Sequence, residues 1–116
     1  MDATTLPVIM LLFDVYKQVT TISVKLPKRW NYGLGISIEK SVLECLEYLV
    51  MAKNAPKQLK SAYLIKASAH LEMIRFKLRL ILENKLANET IIFQTQANIA
   101  EAGRMLGGWL KSTQST

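Results

Sequence analysis

The chain has 116 residues, of which 50% are apolar and 21% charged, and 15 basic residues against nine acidic ones give a net charge of +6. This size and composition predict one domain with one hydrophobic core, and they exclude a disordered chain. A single cysteine, Cys45, excludes an intrachain disulfide and is expected to be a small core residue.

The N-terminal segment gives no sign of export or membrane insertion. It carries an acid, Asp2, where a secretory signal would carry positive charge. The apolar run Val8–Phe13 is too short to span a bilayer. We therefore expect a soluble, cytoplasmic protein that does not bind membranes.

Apolar residues recur at helical spacing in the first half of the chain. Pro7 suits the first turn of a helix, and the spacing predicts a helix over residues 7–25. Its stripe is Val8, Leu12, Val15, Val19, Ile22 and Leu26, flanked by Ile9, Phe13 and Tyr16. Pro27, Gly33 and Gly35 are expected to break this helix, and Leu26–Gly35 is predicted to be the longest connection. A second helix is predicted over residues 36–53, with the stripe Ile38, Val42, Cys45, Leu46, Leu49 and Val50.

The central helix, predicted over residues 57–86 after the break at Pro56, has two apolar stripes. One is Leu64, Ala67, Leu71, Ile74, Leu78 and Ile81; the other is Ala69, Met73, Phe76 and Leu80. The stripes lie about 160° apart on a helical wheel. A helix with two such faces needs a partner on both sides, so we predict that Ala69, Met73, Phe76 and Leu80 contact another subunit.

The last helix is predicted over residues 88–111. Asn88 is its N-cap, Glu89 and Lys111 match the helix dipole, and Ile92, Ile99, Leu106 and Leu110 form its stripe. Four helices with mostly short connections predict an all-α, antiparallel up-down four-helix bundle that fills residues 1–116 as a single domain.

Catalytic and metal-binding patterns are missing from the sequence. No Glu-x-x-His pair of the kind that builds metal sites in bundles occurs. The single histidine, His70, has no acid at a helical spacing that would make a ligand pair, and we expect it on the surface. The sequence therefore predicts no enzymatic activity, no metal and no cofactor.

The basic residues suggest a polyanionic partner. They fall in three places, namely Lys25, Lys28 and Arg29; Arg75, Lys77 and Arg79; and Arg104 and Lys111. Trp30 and Tyr32 accompany the first group and would suit base stacking. The alternative is a solvated loop together with salt bridges between subunits, in which Glu72, Glu83 or Glu101 pairs with Arg75 and Arg79.

Three glycines lie inside the last predicted helix, at positions 103, 107 and 108. Each costs about 1 kcal/mol relative to alanine. We interpret them as sites of close helix–helix approach, within the subunit or between subunits.

Three segments together resemble the accessory variability determinant (Avd) proteins of bacterial and phage diversity-generating retroelements. They are Met73-Ile-Arg-Phe-Lys-Leu-Arg-Leu80, Ile99-Ala-Glu-Ala-Gly-Arg-Met-Leu-Gly-Gly-Trp109 and Leu26-Pro-Lys-Arg-Trp-Asn-Tyr-Gly33. The resemblance extends from Leu12 to Leu110.

The resemblance implies a barrel-shaped homopentamer of basic four-helix bundles without catalytic activity. Such proteins bind RNA or DNA and the retroelement's reverse transcriptase, and support mutagenic cDNA synthesis and retrohoming. Arg75, Arg79 and Arg104, with Lys28 and Arg29 in the turn, match positions in the family's motifs. The tail after Lys111 lacks the basic extension of some relatives, which implies weaker nucleic-acid affinity.

A second family is similar in fold and in its first turn. Four-helix-bundle proteins encoded by intervening sequences in bacterial ribosomal RNA genes share both features. They imply a structural or interaction protein without a polymerase partner.

Overall fold

The computed structural model describes residues 5–114, with side chains from residue 7. The chain forms four long helices, α1 (Thr5–Val24), α3 (Ile36–Asn54), α4 (Lys57–Glu83) and α5 (Glu89–Gln114), and a short helix α2 (Lys28–Trp30). No strand occurs between residues 5 and 114. The fold is therefore an all-α bundle. The predicted domain, residues 1–116, and Asp2 extend beyond the described residues.

The apolar stripes predicted from helical spacing form the core. All six residues of the α1 stripe are buried, as are all six of the first α4 stripe. In α3, Val50 is 44% exposed and Ala52 is buried, so the prediction for Val50 was wrong. In α5 the stripe is completed by the buried Trp109, while Leu110 is half-buried.

The connection predicted over Leu26–Gly35 does break the first helix, since α1 ends at Val24 and α3 begins at Ile36, but most of the connection is itself helical. Pro27 ends the turn, and its carbonyl accepts hydrogen bonds from the amides of Trp30 and Asn31 at 2.8 and 2.9 Å. A π-helical turn, Asn31–Gly35, then leads directly into α3. Gly35 has a helical φ of −61°, and a Cβ there would meet Ser23 Oγ at 2.5 Å. Glycine is therefore needed for close packing on α1 and does not break the helix.

The ends of the last two helices differ slightly from the prediction. α4 ends at Glu83, three residues before the predicted boundary, because Lys85 takes a positive φ of 53°. The N-cap prediction is confirmed, since Asn88 Oδ1 accepts a hydrogen bond from the Thr90 amide at 2.8 Å.

The length of α1 corrects one expectation about membranes. The window Pro7–Val24, with a mean hydropathy of 1.2, is long and apolar enough to cross a membrane by length and composition. The expectation considered only Val8–Phe13, but uncharged residues continue the segment beyond Lys17. In the bundle, 39% of this window is buried. A core helix of a soluble protein has the same composition.

Cys45 is a core residue, as predicted. It is fully buried, and its thiol donates a hydrogen bond to the Ala67 carbonyl at 3.4 Å. Burial raises the pKa of the Cys45 thiol from 9.0 to about 12.

We expect Cys45 in the folded chain to resist alkylation by iodoacetamide at pH 8. The thiolate is the nucleophile, and the higher pKa lowers its fraction about a thousandfold relative to the unfolded chain. Mass spectrometry of timed samples, with and without urea, measures the two rates. Equal rates would contradict the burial of this face of α3.

Candidate functional site

The eight cations predicted to contact nucleic acid or a polymerase lie in three places. Seven are exposed, and Lys77 alone is half-buried. Lys111 stands in the last turn of α5, whereas Arg79 lies near the end of α4 and the start of α5. Because α5 has 26 residues and is about 39 Å long, Lys111 and Arg79 are far apart.

The first group, Lys25, Lys28 and Arg29, surrounds the turn between α1 and α2. Their side chains are exposed and make no ion pair with any described residue. The turn itself is held by Asn31, whose Nδ2 donates to the Ser23 carbonyl at 2.8 Å. This region therefore presents three uncompensated positive charges on a fixed backbone.

The two aromatic residues beside this group have different environments. Tyr32 is 66% exposed and offers its ring to solvent. Trp30 is half-buried and packs against the core. Of the two, Tyr32 is the better placed to stack on a base.

The three arginines of α4 and α5 are each paired with a glutamate of their own helix. Arg75 lies 3.6 Å from Glu72 and Arg79 lies 3.1 Å from Glu83. Arg104 pairs with Glu101 in the same way, and its hydrogen bond lowers the pKa of the Glu101 carboxyl. The glutamates named in the salt-bridge alternative are thus engaged within the chain.

The pairing of the arginines is local. Spacings of three and four residues along a helix bring such side chains together. All six side chains are more than a third exposed, so the pairs add little stability. Their effect is to cancel the positive charge of each arginine locally.

The residues predicted to contact another subunit, Ala69, Met73, Phe76 and Leu80, are all exposed in the single chain. The last three have 46%, 52% and 47% of their surface exposed. A groove of about 340 Å³ between α4 and α5 is lined by Glu72, Arg75, Phe76, Arg79, Gln96 and Ala100. We call Ala69, Met73, Phe76 and Leu80 the α4 apolar face.

The sequence prediction missed a second set of exposed apolar side chains. They are Met10 and Phe13 of α1 and Leu43, Val50 and Met51 of α3. Phe13, expected to flank the core stripe, is 54% exposed, so that prediction was wrong. Phe13 lies on the other side of the helical wheel from Val15 and Val19, and this position could have predicted its exposure. α1 and α3 pack against each other.

His70 is not the free surface residue that we expected. Its ring is half-buried and stacks on Tyr48, with ring centroids 5.4 Å apart. Its Nδ1 lies 3.3 Å from a Glu44 carboxylate oxygen. Both partners lie on α3, so they could not be found from the spacing within α4.

Lys77 lies between α3 and α4, close to His70. Its Nζ donates to Ser41 Oγ at 2.6 Å and to the Ser37 carbonyl at 3.3 Å. A groove of about 300 Å³ opens here, lined by Ser37, Lys40, Ser41, Glu44, His70, Met73 and Lys77. We call it the α3–α4 groove.

The glycines of α5 do not support close approach within the subunit. A Cβ at Gly103 would meet Leu71 at 3.6 Å, an ordinary contact. A Cβ at Gly107 or Gly108 would have nothing within 4 Å. The alternative, close approach between subunits at Gly107 and Gly108, stays a prediction.

No group of three or more His, Cys, Asp or Glu that could hold a metal ion is found in the part of the chain that the structure describes.

Comparison with known proteins finds a match to a protein family. A family model described as bAvd-like matches residues 11–113. None of the curated proteins matches the chain.

Proposed function

We propose a function from one premise, namely that the chain belongs to the bAvd-like family. The protein is a non-catalytic accessory protein of a diversity-generating retroelement. It binds RNA or DNA and the retroelement's reverse transcriptase, and so supports mutagenic cDNA synthesis and retrohoming. The observation that carries this proposal is the family match over nearly the whole described chain.

The proposal includes assembly into a barrel-shaped homo-oligomer, a pentamer by resemblance, of antiparallel bundles. Contacts between α3 and α4 support the antiparallel course, because Ser37 lies near Lys77 while Ala52 lies near Lys60. Closed rings of more than two subunits need two different complementary surfaces. The α4 apolar face and the exposed apolar side chains of α1 and α3 are the candidates for these two surfaces.

Nucleic-acid binding in this proposal is electrostatic. Lys25, Lys28, Arg29 and Lys111 are exposed without a carboxylate partner among the described residues. A ring repeats these cations in every subunit, and repetition raises the avidity for a polyanion. The paired arginines contribute less to this field and fit the rim of the subunit interface better.

The proposed location is the cytoplasm, without membrane contact. Support comes from α1, whose apolar stripe faces the core of the bundle.

Co-expression with the reverse transcriptase of the same retroelement tests the function. We expect the two proteins to co-purify and the complex to synthesise cDNA from the template RNA, with neither protein sufficient alone. Binding to RNA should also weaken steeply between low and physiological salt. Failure to co-purify, together with unchanged cDNA synthesis by the polymerase alone, would favour the ribosomal intervening-sequence type of protein.

A further inference from the structure

We propose that the α3–α4 groove binds a backbone phosphate of the nucleic acid, with Lys77, Lys40 and Ser41 as the contacting side chains. The inference rests on the proposed function and assigns part of the binding to a specific site. The three residues come from two helices and do not belong to one sequence motif.

Lys77 is held in the groove by hydrogen bonds to uncharged groups. Two of its three ammonium protons are donated to neutral oxygens, those of Ser41 and Ser37, and neither partner is a carboxylate. Burial, more than any nearby charge, lowers the pKa of Lys77, and Lys40 lowers it further while Glu44 raises it. The fold thus holds a positive charge where solvation is reduced, which is typical of binding residues.

The three arginines of α4 and α5 have different surroundings from those of Lys77. Arg75, Arg79 and Arg104 each have a glutamate of the same helix. Lys77 has no ion pair with any described residue and points into a groove. An anion entering that groove would accept a charge-assisted hydrogen bond from the ammonium group, which would offset the solvation that the group has lost.

The single carboxylate in the groove is already engaged. One oxygen of Glu44 lies 3.3 Å from His70 Nδ1, and the other lies 3.8 Å from Lys40 Nζ. Lys40 is mostly exposed, and an incoming anion would compete with Glu44 for its ammonium group. The Ser41 hydroxyl accepts from Lys77 and has its own proton to donate. A phosphate would therefore meet donors from both helices.

The surroundings favour a phosphate in a strand over a free phosphate ion. The groove is open, and the seam between α3 and α4 continues past the stacked pair of Tyr48 and His70. Lys66 Nζ lies 5.7 Å from the centre of the Tyr48 ring. Lys66 and Lys77 are roughly 16 Å apart along α4, so a strand following the seam would meet cations at both levels.

The test compares Lys77→Met with Lys57→Met in the full chain. Both variants lose one positive charge from α4, but Lys57 is exposed in the first turn and lies outside the groove. Fluorescence anisotropy with a labelled single-stranded RNA measures the Kd at several salt concentrations. We expect Lys77→Met to weaken binding about tenfold and to reduce the salt slope by about 0.7, and Lys57→Met to change the Kd less than about twofold.

The folded state of Lys77→Met is checked by its melting temperature. We expect no decrease, because the variant removes a partly desolvated charge. If it does not fold, Lys40→Met replaces it, since that side chain is exposed, and about a fivefold loss is expected.

Four outcomes would overturn the inference, and they separate it from the proposed function. Equal losses of RNA affinity in Lys77→Met and Lys57→Met would show that the groove is not the phosphate site, while nucleic-acid binding elsewhere would still stand. A Lys40→Met variant indistinguishable from Lys57→Met would do the same. A melting shift caused by inorganic phosphate and lost in Lys77→Met, with unchanged RNA affinity, would make the groove a site for free phosphate. If the wild-type chain binds neither RNA nor DNA, the proposed function fails as well.

Discussion

Replacing Phe76 and Leu80 with serine is expected to convert the proposed oligomer into single subunits. Both side chains belong to the α4 apolar face and are about half exposed in the single chain. Each would bury roughly 100 Å² more in an interface, worth about 2 kcal/mol per side chain. The loss of about 4 kcal/mol at each contact lowers the association constant about a thousandfold.

Light scattering over a range of protein concentrations measures this change. Two matched replacements, Val24→Ser and Leu59→Ser, serve as the control, because both residues are exposed and lie outside the α4 apolar face. We expect the control to keep the wild-type mass. A wild-type chain that is already a single subunit at high dilution would contradict the ring and, with it, the pooling of positive charge.

Reversing the charges of Lys28 and Arg29 is expected to weaken nucleic-acid binding at least a hundredfold at physiological salt. Each reversal removes one positive charge and adds one negative charge, so the two together lower the net charge of the chain from +6 to about +2. Neither side chain has a partner among the described residues, so the fold should be unaffected. In a ring the loss is repeated in every subunit, which makes the effect large.

Salt titrations of RNA binding distinguish a local effect from a general one. The matched control is Lys17→Glu with Lys57→Glu, two exposed lysines outside the predicted contacts that give the same net charge. We expect the control to lose less affinity and to retain more of the salt slope. Equal losses in both double variants would mean that only total charge matters and that the turn is not a contact surface.

The core could be predicted because it depends on local spacing alone. In α4 the first apolar stripe is fully buried, and the second is exposed on the other side of the same helix. Both results follow from 3.6 residues per turn. The turn after α1 was harder to predict, because proline and glycine there permit a helix start and a close contact with Ser23.

The candidate sites depend more on contacts between helices, which spacing does not reveal. The glutamate partners of Arg75 and Arg79 could be anticipated, since they lie three and four residues away. The partner of Lys77 could not, because Ser41 lies on another helix, 36 residues earlier in the chain. The environment of His70 was missed for the same reason.

The glutamates beside Arg75, Arg79 and Arg104 affect how the protein would respond to ionic strength. Each of these arginines is already paired with a carboxylate of its own helix. A neighbouring subunit that covers such a pair would therefore not bury an unpaired charge and would not need to supply a carboxylate. The cations at the turn have no such companion and rely on an external phosphate. Rising ionic strength should therefore release the proposed nucleic acid before it dissociates the proposed oligomer.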